Sequence, residues 1–162
     1  MNDTDPKRAD AAEATRHRTR FECSAVALRL ARSIDARFGD SDAIAPALRF
    51  VRESAAACGV ADDNEPAWRA QIQALRGADL PHLLSRAAKI TQAPGQGDLI
   101  AELMLLAALP ELHEGYAALF RLLHPQSRPY PTVALALHWL EHEAGAGGAE
   151  EADLPAARER AL

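Results

Sequence analysis

Apolar residues along this chain recur at intervals of three and four, the repeat of a helix with one buried face. Cys23, Val26, Ala27, Leu30 and Ile34 form the first such stripe, with Arg29, Arg32, Asp35 and Arg37 between them. They predict a helix from about Thr19 to Phe38, closed by Gly39. Ile44, Leu48, Val51, Ala55 and Cys58 form a second stripe, capped by Ser41 or Asp42 and stopped at Gly59. A third helix starts near Glu65-Pro66, because proline suits a first turn. It carries Trp68, Ile72 and Leu75 and ends at Gly77. Asp79 begins a fourth, with Leu83, Leu84, Ala87 and Ile90 inward.

The stretch TQAPGQG, Thr91 to Gly97, breaks the pattern and marks a boundary. Beyond it LIAELMLLAAL, Leu99 to Leu109, is apolar nearly all round, which predicts the buried centre of a small bundle, with Pro110 bending or ending it. A sixth helix, about Glu111 to Leu123, presents Leu112, Tyr116, Leu119, Phe120 and Leu123. The loop HPQSRPYP cannot be helical, and Thr132 then caps a seventh helix with Val133, Ala136, Leu137 and Leu140 inward and Trp139 at its flank. The ends read differently: residues 1–19 predict a disordered tail, and 144–162 a glycine-rich linker with the start of a further segment. The expected architecture is all-α in two small helical subdomains, residues 20–90 and 98–143, the second a three-helix, helix-turn-helix or winged-helix-like core. Leu103, Leu106, Leu119, Leu123, Val133 and Leu137 should fill that second core.

Composition agrees with the helical reading. The 162 residues include 36 alanines and 21 leucines but only 4 valines and 5 isoleucines, so the β-branched residues that strands favour are scarce. A sandwich, barrel or parallel-sheet enzyme is disfavoured on that ground. A net charge of −5 offers no general attraction to phosphate backbones or anionic membranes. The first twenty residues contain no apolar leader segment, and the most apolar run is too short to span a bilayer. Cys23 and Cys58 fit no disulfide or zinc framework and read as reduced core thiols. The expectation is a cytoplasmic protein with no membrane contact.

Candidate chemistry is sparse. A nucleotide cradle needs a glycine loop followed by lysine, yet the chain's lysines are Lys7 and Lys89, and neither follows PGQGD or AGAGG. HWLEH, His138 to His142, matches the H-x-x-E-H pattern in which two histidines four apart on a helix bind zinc beside a basic Glu141. A hydrolytic site needs a third protein ligand from downstream, and only twenty residues follow. Histidines in a last helical turn are in any case favoured by the helix dipole without a metal. No catalytic, metal or cofactor site is therefore expected. Arg16, His17, Arg18 and Arg20 form the one possible anion patch, or else simply a solvated helix start. The three helices after residue 98 are arranged as in a DNA reader, but the third, TVALALHWLEHE, offers no basic side chain to base edges. A partner surface is better sought at Arg128, Tyr130 and Trp139, where proline stiffens the loop and aromatic anchors accompany an arginine. Tyr130 and Trp139 equally suit a second role, covering the edge of the bundle core.

Pro110-Glu111-Leu112, Tyr116, Leu119-Phe120 and Leu123, followed by Arg128 and Pro131-Thr132-Val133 with Leu135, Leu137 and Leu140, form a recognisable series. Through it, residues 103–140 resemble the N-terminal winged-helix-type domain of AAA-family ATPases found in bacterial contractile injection clusters. The resemblance implies a non-catalytic accessory domain that binds a protein partner or positions the motor. ATP would then be bound only by a C-terminal core outside this chain. A winged-helix DNA-binding regulator is the alternative.

Overall fold

The computed structural model describes the backbone of residues 6–39, 41–77 and 96–151. These residues form six α-helices and one 3-10 turn, and none of them is in a strand. The helices are α1 (Pro6–Phe38), α2 (Ala45–Ala56), α3 (Glu65–Gly77), α4 (Gln96–Leu112), α5 (Glu114–Leu123) and α6 (Val133–Glu151). The all-α expectation holds. The helix expected at Asp79 to Ile90 lies outside the described residues, as does most of the break at 91–97. Gln96 and Gly97 already belong to α4.

Helix ends obey local chemistry. Gly39 takes φ +57° and donates its N–H to Asp35 O at 2.8 Å, while Gly59 takes φ +81° as the chain leaves α2. Both conformations favour glycine, which has no Cβ to clash. Before α2, neither Ser41 nor Asp42 caps with its side chain; the Ser41 carbonyl accepts from Ile44 and Ala45 instead. Glu65 and Pro66 do open α3, and Asn64 braces the turn before it by accepting from Ala61 N at 3.0 Å.

Two expectations about the ends are corrected. Residues 6–18, assigned to a disordered tail, extend α1 by three and a half turns of alanine and charged residues, a good helix-forming mix. Residues 144–151, assigned to a linker, continue α6: a helix already anchored in the core propagates through three glycines at a cost of ~1 kcal/mol each. Pro110 also lies inside α4, in its last turn, and the break falls at His113. There the imidazole Nδ1 accepts from Gly115 N at 2.9 Å and caps α5.

The centre of the molecule is α1, not the all-apolar α4. From Phe21 to Ile34 every α1 residue except Arg32 is buried. One face packs Cys23, Val26, Ala27, Leu30 and Ile34 against α2, α4, α5 and α6. The other packs Phe21, Ala25 and Leu28 against Ala55, Val60, Trp68 and Ile72, from the end of α2, its turn and α3. The first cluster draws on both sides of the predicted boundary, so α1 and α2 share one core with α4, α5 and α6, and α3 joins α1 through the second cluster. Nor do the last three helices close on themselves, because α6 packs chiefly against α1. α4 buries Ala101, Leu105, Leu106 and Leu109 but leaves Met104 and Leu112 exposed.

Ion pairs tie the elements to α1. Arg32 bonds Asp62 at 2.7 Å and Glu65 at 2.6 Å, and Asp35 accepts from Arg52 at 2.6 Å. Burial works against the Glu65 carboxylate, but hydrogen bonds from Arg32 and Arg69 outweigh it and hold its pKa below the ordinary value. Arg29, expected on a polar face, is buried; it bonds Glu102 of α4 at 2.9 Å and lies 5.3 Å from the Trp139 ring centre. A buried charge with a paired carboxylate and an aromatic face avoids the cost of an isolated one.

Candidate functional site

The loop between α5 and α6 is built around one histidine. His124 ends α5 by donating its N–H to Phe120 O at 2.8 Å, and its carbonyl and ring then accept from Ser127 N at 2.8 Å and Gln126 N at 3.0 Å. Ser127 takes φ +52°, a left-handed conformation that turns the chain. The Tyr130 and His124 rings meet nearly at right angles, with a centroid distance of 5.3 Å. Thr132 then caps α6, its Oγ1 accepting from Leu135 N at 3.1 Å, as its position predicts. Two local bonds, one ring contact and three prolines leave this loop few conformations to lose on docking.

Of the three residues singled out here, two are at the surface. Arg128 is exposed, and Tyr130 is 51% exposed. Trp139 is not: it is fully buried in the main cluster, so of the two roles open to it only core packing stands. Its position shifts the expected rotation of α6. Val133 and Leu137, predicted inside, are 76% and 55% exposed, and the inward face is Leu135, Ala136, Trp139 and Leu140. Both rotations bury Ala136 and Leu140; the observed one adds an indole, whose apolar area exceeds that of valine. The remaining core expectations fare better: Leu106 and Leu119 are fully buried, and Leu103 and Leu123 pack partly buried against the cluster.

Exposed Tyr130, Val133 and Leu137 thus follow one another on the loop and the outer side of α6, with Arg128 just before them. Val133 and Leu137 lie one turn apart on the same side of the helix. Sequence reasoning missed both as surface residues. The local signal, ALALHWL, is apolar on every side and cannot fix which side faces in.

The other candidates separate clearly. His138 and His142 each have one buried ring nitrogen without a hydrogen-bond partner. Among the described residues no group of three or more histidine, cysteine or carboxylate side chains gathers to hold a metal. Cys23 is buried, and burial, reinforced by the neighbouring Glu22 charge, pushes its thiol up to about 12, far from a reactive thiolate. Cys58, expected in the core stripe, is only half-buried in the turn after α2. Among the described residues no helix is long and apolar enough to cross a membrane. The chain matches no family model, no curated protein and no solved structure.

Proposed function

We propose that this chain is a non-catalytic protein-interaction domain that docks through the α5–α6 loop and the outer side of α6. The observation that carries the reading is the exposure of Val133 and Leu137, with Tyr130 also exposed in the loop just before them, on a helix whose other side is fixed in the core by Trp139. Large apolar side chains grouped at a surface favour a covering partner. Arg128 at the edge selects for a partner carboxylate next to its apolar patch. The resemblance of residues 103–140 to the N-terminal domains of AAA-family ATPases supports placing this interaction beside a nucleotide-driven motor. The same outer side disfavours the DNA-binding alternative, since valine and leucine offer nothing to phosphates or base edges.

The test replaces Val133 and Leu137 together by serine and compares partner capture and thermal stability with the unchanged chain. A specific protein lost from the variant, with melting unchanged, supports the reading. The same captured proteins with and without the substitutions would sink it. The ATPase association has its own check, namely whether the gene runs on from Leu162 into a P-loop sequence.

A further inference from the structure

Charges of opposite sign stand at the two ends of the exposed apolar stretch on α6. Arg128 lies in the loop just before the helix. Glu141 follows Val133 and Leu137 at the same interval of four, so all three lie on one side of the helix. Arg128 and Glu141 are both exposed, and neither has an ion-pair partner among the described residues. Elsewhere on the surface Arg32, Arg52, Arg69 and Arg121 each hold a carboxylate. The apolar patch is thus flanked by one unmatched base and one unmatched acid.

We propose that the partner at this surface is a second copy of the chain, paired through antiparallel α6 helices about a twofold axis near Leu137. The inference rests on the docking surface proposed above and names its occupant. In such a pair Leu137 faces its own equivalent. Val133 and Glu141 lie equally far from it along the chain, so Val133 of one copy comes level with Glu141 of the other. Arg128 of each copy is thereby brought to the end of the patch that carries the unmatched carboxylate of the other. Every contact occurs twice, as a twofold interface requires. The charges also select the direction. A parallel pair would set Arg128 against Arg128 and Glu141 against Glu141, and like charges across an interface are disfavoured. A uniformly acidic or basic partner fits less well for the same reason, because one end of the patch would repel it. With −5 on each copy the two chains repel overall, and the patch is small, so the dimer is weak, of about micromolar affinity.

The experiment is sedimentation equilibrium of the full chain over a range of micromolar concentrations. The average mass should rise from that of one chain toward that of two. Val133→Ser with Leu137→Ser should remain monomeric. Arg128→Glu and Glu141→Arg should each weaken the dimer about tenfold. Mixed in equal amounts, these two charge variants should associate nearly as well as the parent, because each supplies the charge that the other lacks. An ion pair within one copy would not be restored by mixing. A parent chain that stays monomeric, a dimer untouched by the serine substitutions, charge variants that associate like the parent, or no recovery on mixing would overturn the proposal. A monomeric parent whose serine variant still loses a captured protein would leave the docking surface standing with a different occupant; unaltered capture would overturn both. All four substituted residues are exposed, so the variants should keep the parent's helicity. If the serine variant loses it, the mixing of the charge variants still decides.

Discussion

The middle of α1 and the first half of α6 are both apolar helices, and their fates are opposite. Phe21 to Ile34 contains Glu22, Ser24, Arg29 and Ser33, yet all four are buried with the rest of the span apart from Arg32. Val133 to Leu140 contains no formal charge, yet Val133 and Leu137 stay in solvent. Polarity along the chain therefore does not rank these helices by burial; the number of neighbours does. α1 has helices against both of its faces; Arg29 finds Glu102 of α4 there, while Ser24 bonds back to the Arg20 carbonyl of α1 itself at 2.8 Å. α6 rests mainly on α1 and needs only one side inward.

The sharpest way to break this contrast is at the contact between the two helices. Trp139→Ala should cost ~3–5 kcal/mol, the usual loss for a large buried aromatic, and denaturant unfolding would measure it. Arg29→Ala should cost about 3 kcal/mol, since it leaves Glu102 half-buried without this partner and strips the indole of its cation. A loss below ~1 kcal/mol for Trp139→Ala would mean that α6 hardly touches the core.

Away from that contact, effects shrink. A Cβ at Gly115 would overlap the Phe50 ring, which is already stacked on His113 and set edge-on to Tyr116. Gly115→Ala should therefore cost ~1–3 kcal/mol through overpacking between α2 and α5, read by the same unfolding curves. Glu65→Gln should cost only ~0.5–1 kcal/mol, because its ion pair with Arg32 is partly exposed. Its pH dependence has a definite sign. The folded carboxyl titrates below the ordinary value of 4.5, so its contribution is complete above that pH and fades as pH falls through the lower folded value. Acid unfolding of the glutamine variant should lack that component. The smallest stability effect belongs to Val133→Ser with Leu137→Ser, within ~0.5 kcal/mol on melting, as for other surface substitutions.

The sequence showed some of this well and some not at all, for physical reasons. Gly39, Gly59, Pro66 and Thr132 act within one turn of themselves, so the ends they mark were legible. Trp68, Ile72 and Leu75 were legible too, because α3 is apolar on one side only. The rotation of α6 was not, since an all-apolar segment chooses its inward side by what volume its neighbours leave. The burial of α1 was hidden for another reason. Arg29 reads as a surface charge until Glu102, 73 residues later, is brought beside it. Arg128 was legible as a surface group from its proline-rich loop, whereas the exposure of Tyr130, which could equally have covered the core, and of Val133 and Leu137 came only with the fold.

If the packing on both sides of α1 is one cooperative core, the two tryptophans test it directly. Trp68 sits in the cluster on one side of α1 and Trp139 in the cluster on the other, both buried. With Trp68→Phe, fluorescence reports Trp139 alone; with Trp139→Phe, it reports Trp68 alone. In each variant, urea unfolding followed by fluorescence should coincide with unfolding followed by far-UV circular dichroism, giving one shared midpoint. Separate fluorescence and helicity transitions in either variant would mean that the clusters unfold independently, and would contradict a single core built on α1.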